Sequence, residues 1–175
     1  MFQIDKENVL TGSDPNGVFS IAAGEVRSRG VEFDLAGKLT QHLRLSASYA
    51  YLDTEVTKDQ GGAVDWAMHA NMLGRKQSAS LLAMWEAPLT NGGNWGIGGG
   101  INYTGKRAGN YIDSFSLPSY TTVQLNSYWR IDRNLRLNAN VHNLFNREYI
   151  ASSYDRAWLV PGAPRALTVS AQYTF

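Results

Sequence analysis

The stretch that decides the fold is Arg165-Ala-Leu-Thr-Val-Ser-Ala-Gln-Tyr-Thr-Phe175. Apolar side chains occupy every second position from Leu167 onward, and polar side chains fill the positions between them. Because successive side chains of a strand point to opposite faces, this segment has one apolar wall and one polar wall. A soluble barrel would turn the apolar wall inward, whereas a transmembrane β-strand presents it to lipid and places aromatic residues at the interface. The aromatic residue at position 175 favours the transmembrane arrangement.

Composition restricts the class of protein. The 175 residues carry a net charge of only +1, so we expect no nucleic-acid partner, which would need a basic excess on one face. No apolar run approaches the roughly 18 to 20 residues of a spanning helix, although the alternating strands of a membrane barrel would show none either. The first residues lack the basic and apolar regions of a secretory signal peptide, and the chain contains no cysteine.

The two-residue period recurs in eight stretches of the chain. The clearest example is a hairpin, in which Val31, Phe33 and Leu35 alternate with charged residues ahead of a tight connection at 40–42. The eight stretches are 2–10, 25–39, 43–51, 78–87, 95–104, 122–131, 135–142 and 167–175. The first of them is short and has the pattern of the end of a strand.

The connections between these stretches alternate in length. Short connections are predicted at 40–42, 88–94 and 132–134, and long ones at 11–23, 58–74, 106–118 and 147–164. Short turns on one rim and long loops on the other are typical of outer-membrane barrels. The sequence therefore predicts an all-β fold, an antiparallel transmembrane β-barrel segment of about eight strands with short periplasmic turns and long extracellular loops. A soluble sandwich with its polar face in water remains an alternative.

Three motifs carry a resemblance to a known family. They are Gly24-Glu-Val-Arg-Ser-Arg-Gly-Val-Glu-Phe33, Val141-His-Asn-Leu-Phe-Asn-Arg-Glu-Tyr149 and Val160-Pro-Gly-Ala-Pro-Arg165. In this order and at these spacings, the chain resembles the C-terminal end of TonB-dependent siderophore receptors, most closely the ferrichrome-type branch. The resemblance implies that residues 1–175 are the C-terminal portion of a 22-stranded barrel. It also leads us to expect that the plug domain and the signal peptide of the family are absent from this chain.

The expected function is implied by the resemblance to this receptor family and not by the alternation of apolar and polar residues. It implies a multi-pass protein of the Gram-negative outer membrane, part of a receptor that takes up ferric siderophores with energy from the TonB complex. Iron would enter only within the siderophore, so no cofactor is expected. The implied partners are outer-membrane lipid, the ferric siderophore, the TonB complex in the full-length protein and the barrel assembly machinery. Two alternatives stay open: a self-contained eight-stranded outer-membrane barrel with a structural or adhesive role, and a soluble β ligand-binding module.

No catalytic constellation occurs in the sequence, so we do not expect an enzyme. His42, His69 and His142 have no carboxylate or cysteine neighbours at ligand spacing, and no metal site is predicted.

Ligand binding is predicted in the long loops, where aromatic faces accompany fixed positive charge that suits an anionic ferric chelate. The candidate residues are Trp66, Arg107, Tyr111, Tyr154, Arg156 and Trp158. The alternative for each is a place in the aromatic belt or among lipid-facing charges. At the end of the chain, Tyr173 and Phe175 resemble the signal read by the assembly machinery, and the alternative for both is an ordinary interfacial aromatic.

Overall fold

The computed structural model describes residues 1–12, 20–58, 74–90, 92–110, 114–153 and 155–175. These residues form twelve β-strands: β1 Phe2–Gly12, β2 Ser20–Lys38, β3 Leu43–Lys58, β4 Gly74–Pro88, β5 Asn94–Thr104, β6 Arg107–Ala108, β7 Ser116–Leu117, β8 Tyr120–Arg130, β9 Leu135–His142, β10 Ile150–Ser153, β11 Leu159–Pro161 and β12 Ala166–Tyr173. Eight of them form one sheet in the order β1-β2-β3-β4-β5-β8-β9-β12, and every neighbouring pair is antiparallel. In the described ranges, no helix is long and apolar enough to cross a membrane.

The predicted all-β, eight-stranded antiparallel fold is confirmed, but the first long connection is shorter than predicted. Residues 11–23 were expected to be a loop, and instead Gly12 pairs with Ser20 near the ends of β1 and β2. In this part of the hairpin neither face needs to be apolar, so the sequence loses the two-residue period there. The predicted long connections 106–118 and 147–164 contain two ribbons, β6–β7 and β10–β11, which are too short to show a period.

The apolar face of the sheet is exposed rather than packed against a second layer. Phe33 is 58% exposed, Trp129 51% and Val169 69%. Among the described residues, the buried hydrophobic ones are only Val9, Ala108 and Leu117. A soluble sandwich would bury this face, so the soluble alternative is not supported. The exposure is what an outward-facing wall in hydrocarbon requires.

On the polar face, side chains of β4 and β8 meet above β5. Tyr128 of β8 passes over Gly96 and donates a hydrogen bond of 2.8 Å to Oε1 of Glu86 on β4. The other carboxylate oxygen of Glu86 lies 3.0 Å from Nε of Arg44 on β3. The contact requires glycine at position 96, because a Cβ there would lie 2.6 Å from the Tyr128 ring.

The short turn between β8 and β9 holds the end of the last strand. Oδ1 of Asp132 accepts hydrogen bonds from the backbone N–H groups of Asn134 at 2.7 Å and Leu135 at 2.8 Å, and these bonds lower the pKa of Asp132. The carbonyl of Asn134 accepts the N–H of Thr174 at 2.9 Å, and its Nδ2 donates to the Thr174 carbonyl at 2.6 Å. The turn therefore binds both the backbone N–H and the backbone carbonyl of Thr174.

The sheet is open, with β1 and β12 at its two edges. In the described part of the chain, β1 pairs with β2 alone and β12 with β9 alone. Since Phe2 lies opposite Gly30, residues 31–38 of β2 have a partner only on the β3 side. A self-contained eight-stranded barrel would need β1 to pair with β12, so the described strands do not support that alternative.

The Gly96→Ala substitution should destabilise the folded barrel by about 1–3 kcal/mol, because the added methyl group displaces the Tyr128 ring and its bond to Glu86. The matched control is Gly99→Ala on the opposite face of β5, where a new Cβ would meet its nearest atom at 3.5 Å. We expect the control to change stability by less than about 0.5 kcal/mol. The measurement is the temperature at which the complete gene product loses its folded mobility in unboiled gel electrophoresis. Equal shifts for the two variants would contradict the role of Gly96.

The 175-residue chain produced alone and refolded in detergent should self-associate, because its two sheet edges present unpaired N–H and C=O groups. Size-exclusion chromatography with light scattering should show oligomers whose proportion rises with protein concentration. A monodisperse monomer over the whole concentration range would be incompatible with open edges.

Candidate functional site

Two long connections on the same rim of the sheet pack against each other. The first, residues 105–119, contains the β6–β7 ribbon, and the second, residues 143–165, contains the β10–β11 ribbon. We call them the interlocked loops. The buried Ser153 donates its hydroxyl to the carbonyl of Gly109, which joins the two connections directly. In the first connection, the side chain of the buried Asn110 donates to the hydroxyl of Ser114 and accepts from its N–H.

Arg107, a predicted ligand-binding residue, joins the interlocked loops. Its Nη2 donates to the carbonyls of Ile150 at 2.6 Å and Ala151 at 2.8 Å. The same guanidinium lies 5.4 Å from the ring centroid of Tyr120. Its donors are thus directed largely at backbone carbonyls of β10, and the Arg107 side chain supports the shape of the loops.

Arg156 and Trp158 occupy the second connection. Nη2 of Arg156 donates to the carbonyl of Ser114 at 3.1 Å, and its guanidinium lies 5.5 Å from the Phe115 ring centroid. The backbone N–H of Trp158 donates to Oδ1 of Asp155 at 2.8 Å, while the residue as a whole is 68% exposed. Trp158 therefore presents a large aromatic surface to solvent on a constrained turn.

Asn143 fixes the start of the second connection. Its backbone is left-handed, with φ of 48°, and its side chain is buried. Nδ2 donates to the carbonyls of Arg147 at 2.9 Å and Ala163 at 3.0 Å, and Oδ1 accepts the N–H of Arg147 at 2.8 Å. Asparagine tolerates this backbone conformation and supplies both a donor and an acceptor, which explains its place in the second sequence motif. The bonds hold the beginning and end of the connection together.

Sequence reasoning missed three residues at the base of the interlocked loops. The rings of Tyr120 and Tyr149 stack with centroids 4.1 Å apart. Lys76 of β4 is half-buried and is close enough to Arg107 for the two charges to repel each other. Tyr120 and Lys76 have the same parity as the polar-face residues of their strands, and that parity was the available signal. Two cations beside stacked aromatic rings suit an anionic, partly planar ligand.

The remaining predicted residues are distributed as follows. Trp66, Tyr111 and Tyr154 lie outside the described residues, so their predicted role stays a prediction. Tyr173 and Phe175 lie at the opposite end of β12, with their rings in an edge-to-face contact at 5.1 Å. In the described ranges, no group of three or more His, Cys, Asp or Glu residues could hold a metal ion.

Arg107→Ala should loosen the interlocked loops, because hydrogen bonds from a charged donor to two carbonyls contribute about 1.5–3 kcal/mol each. Proteinase K added to intact cells should cleave residues 143–165 faster in this variant than in the unchanged protein. Lys106→Ala is the matched control, since the neighbouring Lys106 is exposed and its side chain donates no hydrogen bond to β10 in the part of the chain that the structure describes. Identical cleavage rates for the two variants would contradict the bridging role of Arg107.

Comparison with known proteins places the chain in a family. Residues 1–144 match the family described as "TonB dependent receptor-like, beta-barrel". The metal-pseudopaline receptor CntO of Pseudomonas aeruginosa is 42% identical over 97% of this chain and 24% of the relative. The ferrichrome outer membrane transporter/phage receptor of Escherichia coli is 31% identical over 100% of this chain and 23% of the relative.

A solved structure agrees with these sequence matches. The crystal structure of BauA, the ferric preacinetobactin receptor of Acinetobacter baumannii, is similar with a TM-score of 0.72 and 26% identity, over 98% of this chain and 26% of the other. The chain spans about a quarter of the length of the relatives that it matches. The exposed apolar face and the alternation of short turns with long loops fit the outer-membrane location of these receptors. The chain belongs to the TonB-dependent receptor β-barrel family.

Proposed function

We propose that this chain provides the C-terminal strands and loops of an outer-membrane receptor that takes up ferric siderophores or closely related metal chelates, energised by the TonB complex. The observation that carries the proposal is the rim on which Arg107 and Lys76 accompany the stacked rings of Tyr120 and Tyr149. Fixed positive charge beside aromatic faces attracts an anionic chelate and orients its flat groups. The metal would arrive and leave within the chelate, as cargo rather than as a resident cofactor.

The names of the relatives support this class of ligand. One is a metal-pseudopaline receptor, one a ferrichrome transporter and one a ferric preacinetobactin receptor. All three names describe a metal held by a small organic chelator. In our proposal Trp158, Arg156 and the loop residues Trp66, Tyr111 and Tyr154 approach the chelate from outside, and Arg107 shapes the loops behind them.

Assembly and energy supply complete the proposal. The terminal Tyr173 and Phe175, exposed beside the short turns, are the residues we propose the barrel assembly machinery to read. Coupling to TonB would depend on parts of the receptor beyond these strands, in keeping with the share of the relatives that the chain covers.

A strain without the gene should lose uptake of radioactive iron from at least one siderophore in a panel of hydroxamate, catecholate and carboxylate types. Restoring the gene with Trp158→Ala should leave binding of that siderophore about tenfold weaker, as expected when an exposed aromatic contact residue is removed. The neighbouring Leu159→Ala serves as control and should bind like the unchanged protein. Unchanged uptake of every siderophore after deletion would overturn the proposed function.

A further inference from the structure

The apolar face of the sheet has a depression of about 610 Å³ over the β8–β9 pair, which we call the β8–β9 pocket. One row across four strands consists of Ile97, Ser127, Ala139 and Val169, in which each residue lies directly opposite the next. The two middle residues are small, whereas both ends of the row carry branched aliphatic side chains. Ser127 and Ala139 therefore form the floor of the pocket, and Ile97 and Val169 flank it.

Larger side chains border the pocket in both directions along the strands. On the side of the short turns, Trp129 lies directly opposite both Trp95 and Leu137. On the side of the long loops, the next row has Leu125 opposite Val141. The small residues thus form a local depression in the wall that faces the bilayer.

The lining of the pocket suits hydrocarbon. Oγ of Ser127 donates to the carbonyl of Ala139 at 3.2 Å, so the hydroxyl proton is used within the sheet. The other side chains that line the pocket on this face are aliphatic or tryptophan. A polar ligand here would leave its own donors and acceptors unpaired, whereas an acyl chain would gain dispersion contacts with the floor and walls.

The depth of the pocket indicates from which leaflet a chain would reach it. Ser127 lies five residues before Asp132 in the short turn that joins β8 to β9. Five residues of strand span about 17 Å, which at the usual tilt of barrel strands is a depth of roughly 12–14 Å. Each leaflet contributes about 15 Å of hydrocarbon, so an acyl chain anchored at the rim of the short turns extends as far as the pocket.

The short turn next to the pocket supplies a cation at the level of the head groups. Arg133 is exposed and forms no ion pair with any described carboxylate. The neighbouring Asp132 directs Oδ1 at the N–H groups of Asn134 and Leu135 instead. A guanidinium group matches the geometry of phosphate oxygens, and tryptophan side chains are typical of the head-group level. One hairpin therefore combines a phosphate ligand with an apolar pocket about one chain length away.

We propose that the β8–β9 pocket binds one phospholipid of the periplasmic leaflet. An acyl chain occupies the depression over Ser127 and Ala139, and the phosphate pairs with Arg133. The chemistry recognised is shared by glycerophospholipids: a hydrocarbon chain joined to a phosphodiester. The site lies on the lipid-facing wall, so it does not rest on the proposed uptake of a chelate.

The test is native mass spectrometry of the complete receptor, purified from outer membranes in a mild detergent. The unchanged protein should retain one phospholipid at collision energies that remove the detergent. Ala139→Phe fills the pocket and should lower the retained fraction by at least about fivefold, because the new ring occupies the place of the acyl chain. Arg133→Glu should lower it by at least about fivefold as well, since like charges then meet at the phosphate.

Each variant has a matched control. Ala47→Phe adds the same ring on the apolar face of β3, between Leu35 and Leu81, and should leave retention unchanged. Arg133→Lys keeps the charge and should retain more phospholipid than Arg133→Glu. Folded mobility in unboiled gels verifies assembly, and Ala139→Leu is the milder substitution if the phenylalanine prevents it.

Several results would overturn the proposal. These are the absence of a retained phospholipid, retention of lipopolysaccharide alone, and a dimer of the receptor that carries no phospholipid. Equal retention in Ala139→Phe and Ala47→Phe, or in Arg133→Glu and Arg133→Lys, would overturn it too.

Discussion

The structure depends on one constraint: a single sheet has hydrocarbon against one face and water against the other. Lipid offers no hydrogen bonds, so every backbone N–H and C=O at that depth must pair with a neighbouring strand. Each strand must also alternate, because consecutive side chains meet opposite solvents. The exposed Phe33, Trp129 and Val169 satisfy this constraint, although in water the same exposed apolar side chains would favour aggregation.

Because the apolar face packs against lipid, the specific side-chain contacts lie on the polar face and in the loops. Glu86, Tyr128 and Arg44 link three strands over the bare backbone of Gly96. Arg107 and Ser153 link the two long connections in a comparable way. In a soluble domain, close packing of a hydrophobic core gives the fold its uniqueness. Here polar contacts between residues far apart in the chain take over that role.

The membrane strands could be predicted from the sequence because lipid imposes a rule on every residue of the segment. The long loops follow no such rule. Arg107 and Arg156 were predicted as ligand contacts from their charge, and that role stays a prediction. Their guanidinium groups also bond to carbonyls more than forty residues away, which no local pattern specifies. In β4, Leu82 and Met84 are apolar residues at positions of the polar face and depart from the two-residue period. The structure explains the place of Met84, since its sulfur lies over Gly98, where a Cβ would come within 2.9 Å of it.

The two hydrogen bonds between Asn134 and Thr174 have a consequence for the register in which β12 pairs with β9. A strand in lipid can shift by two residues along its neighbour and still present its apolar side chains to lipid. Alternation alone therefore does not exclude that change of register. Such a slip would separate Thr174 from both the carbonyl and the side-chain amide of Asn134. The short turn thus acts as a stop that sets the stagger between β9 and β12, and in a barrel the stagger of the strands determines their tilt and the diameter.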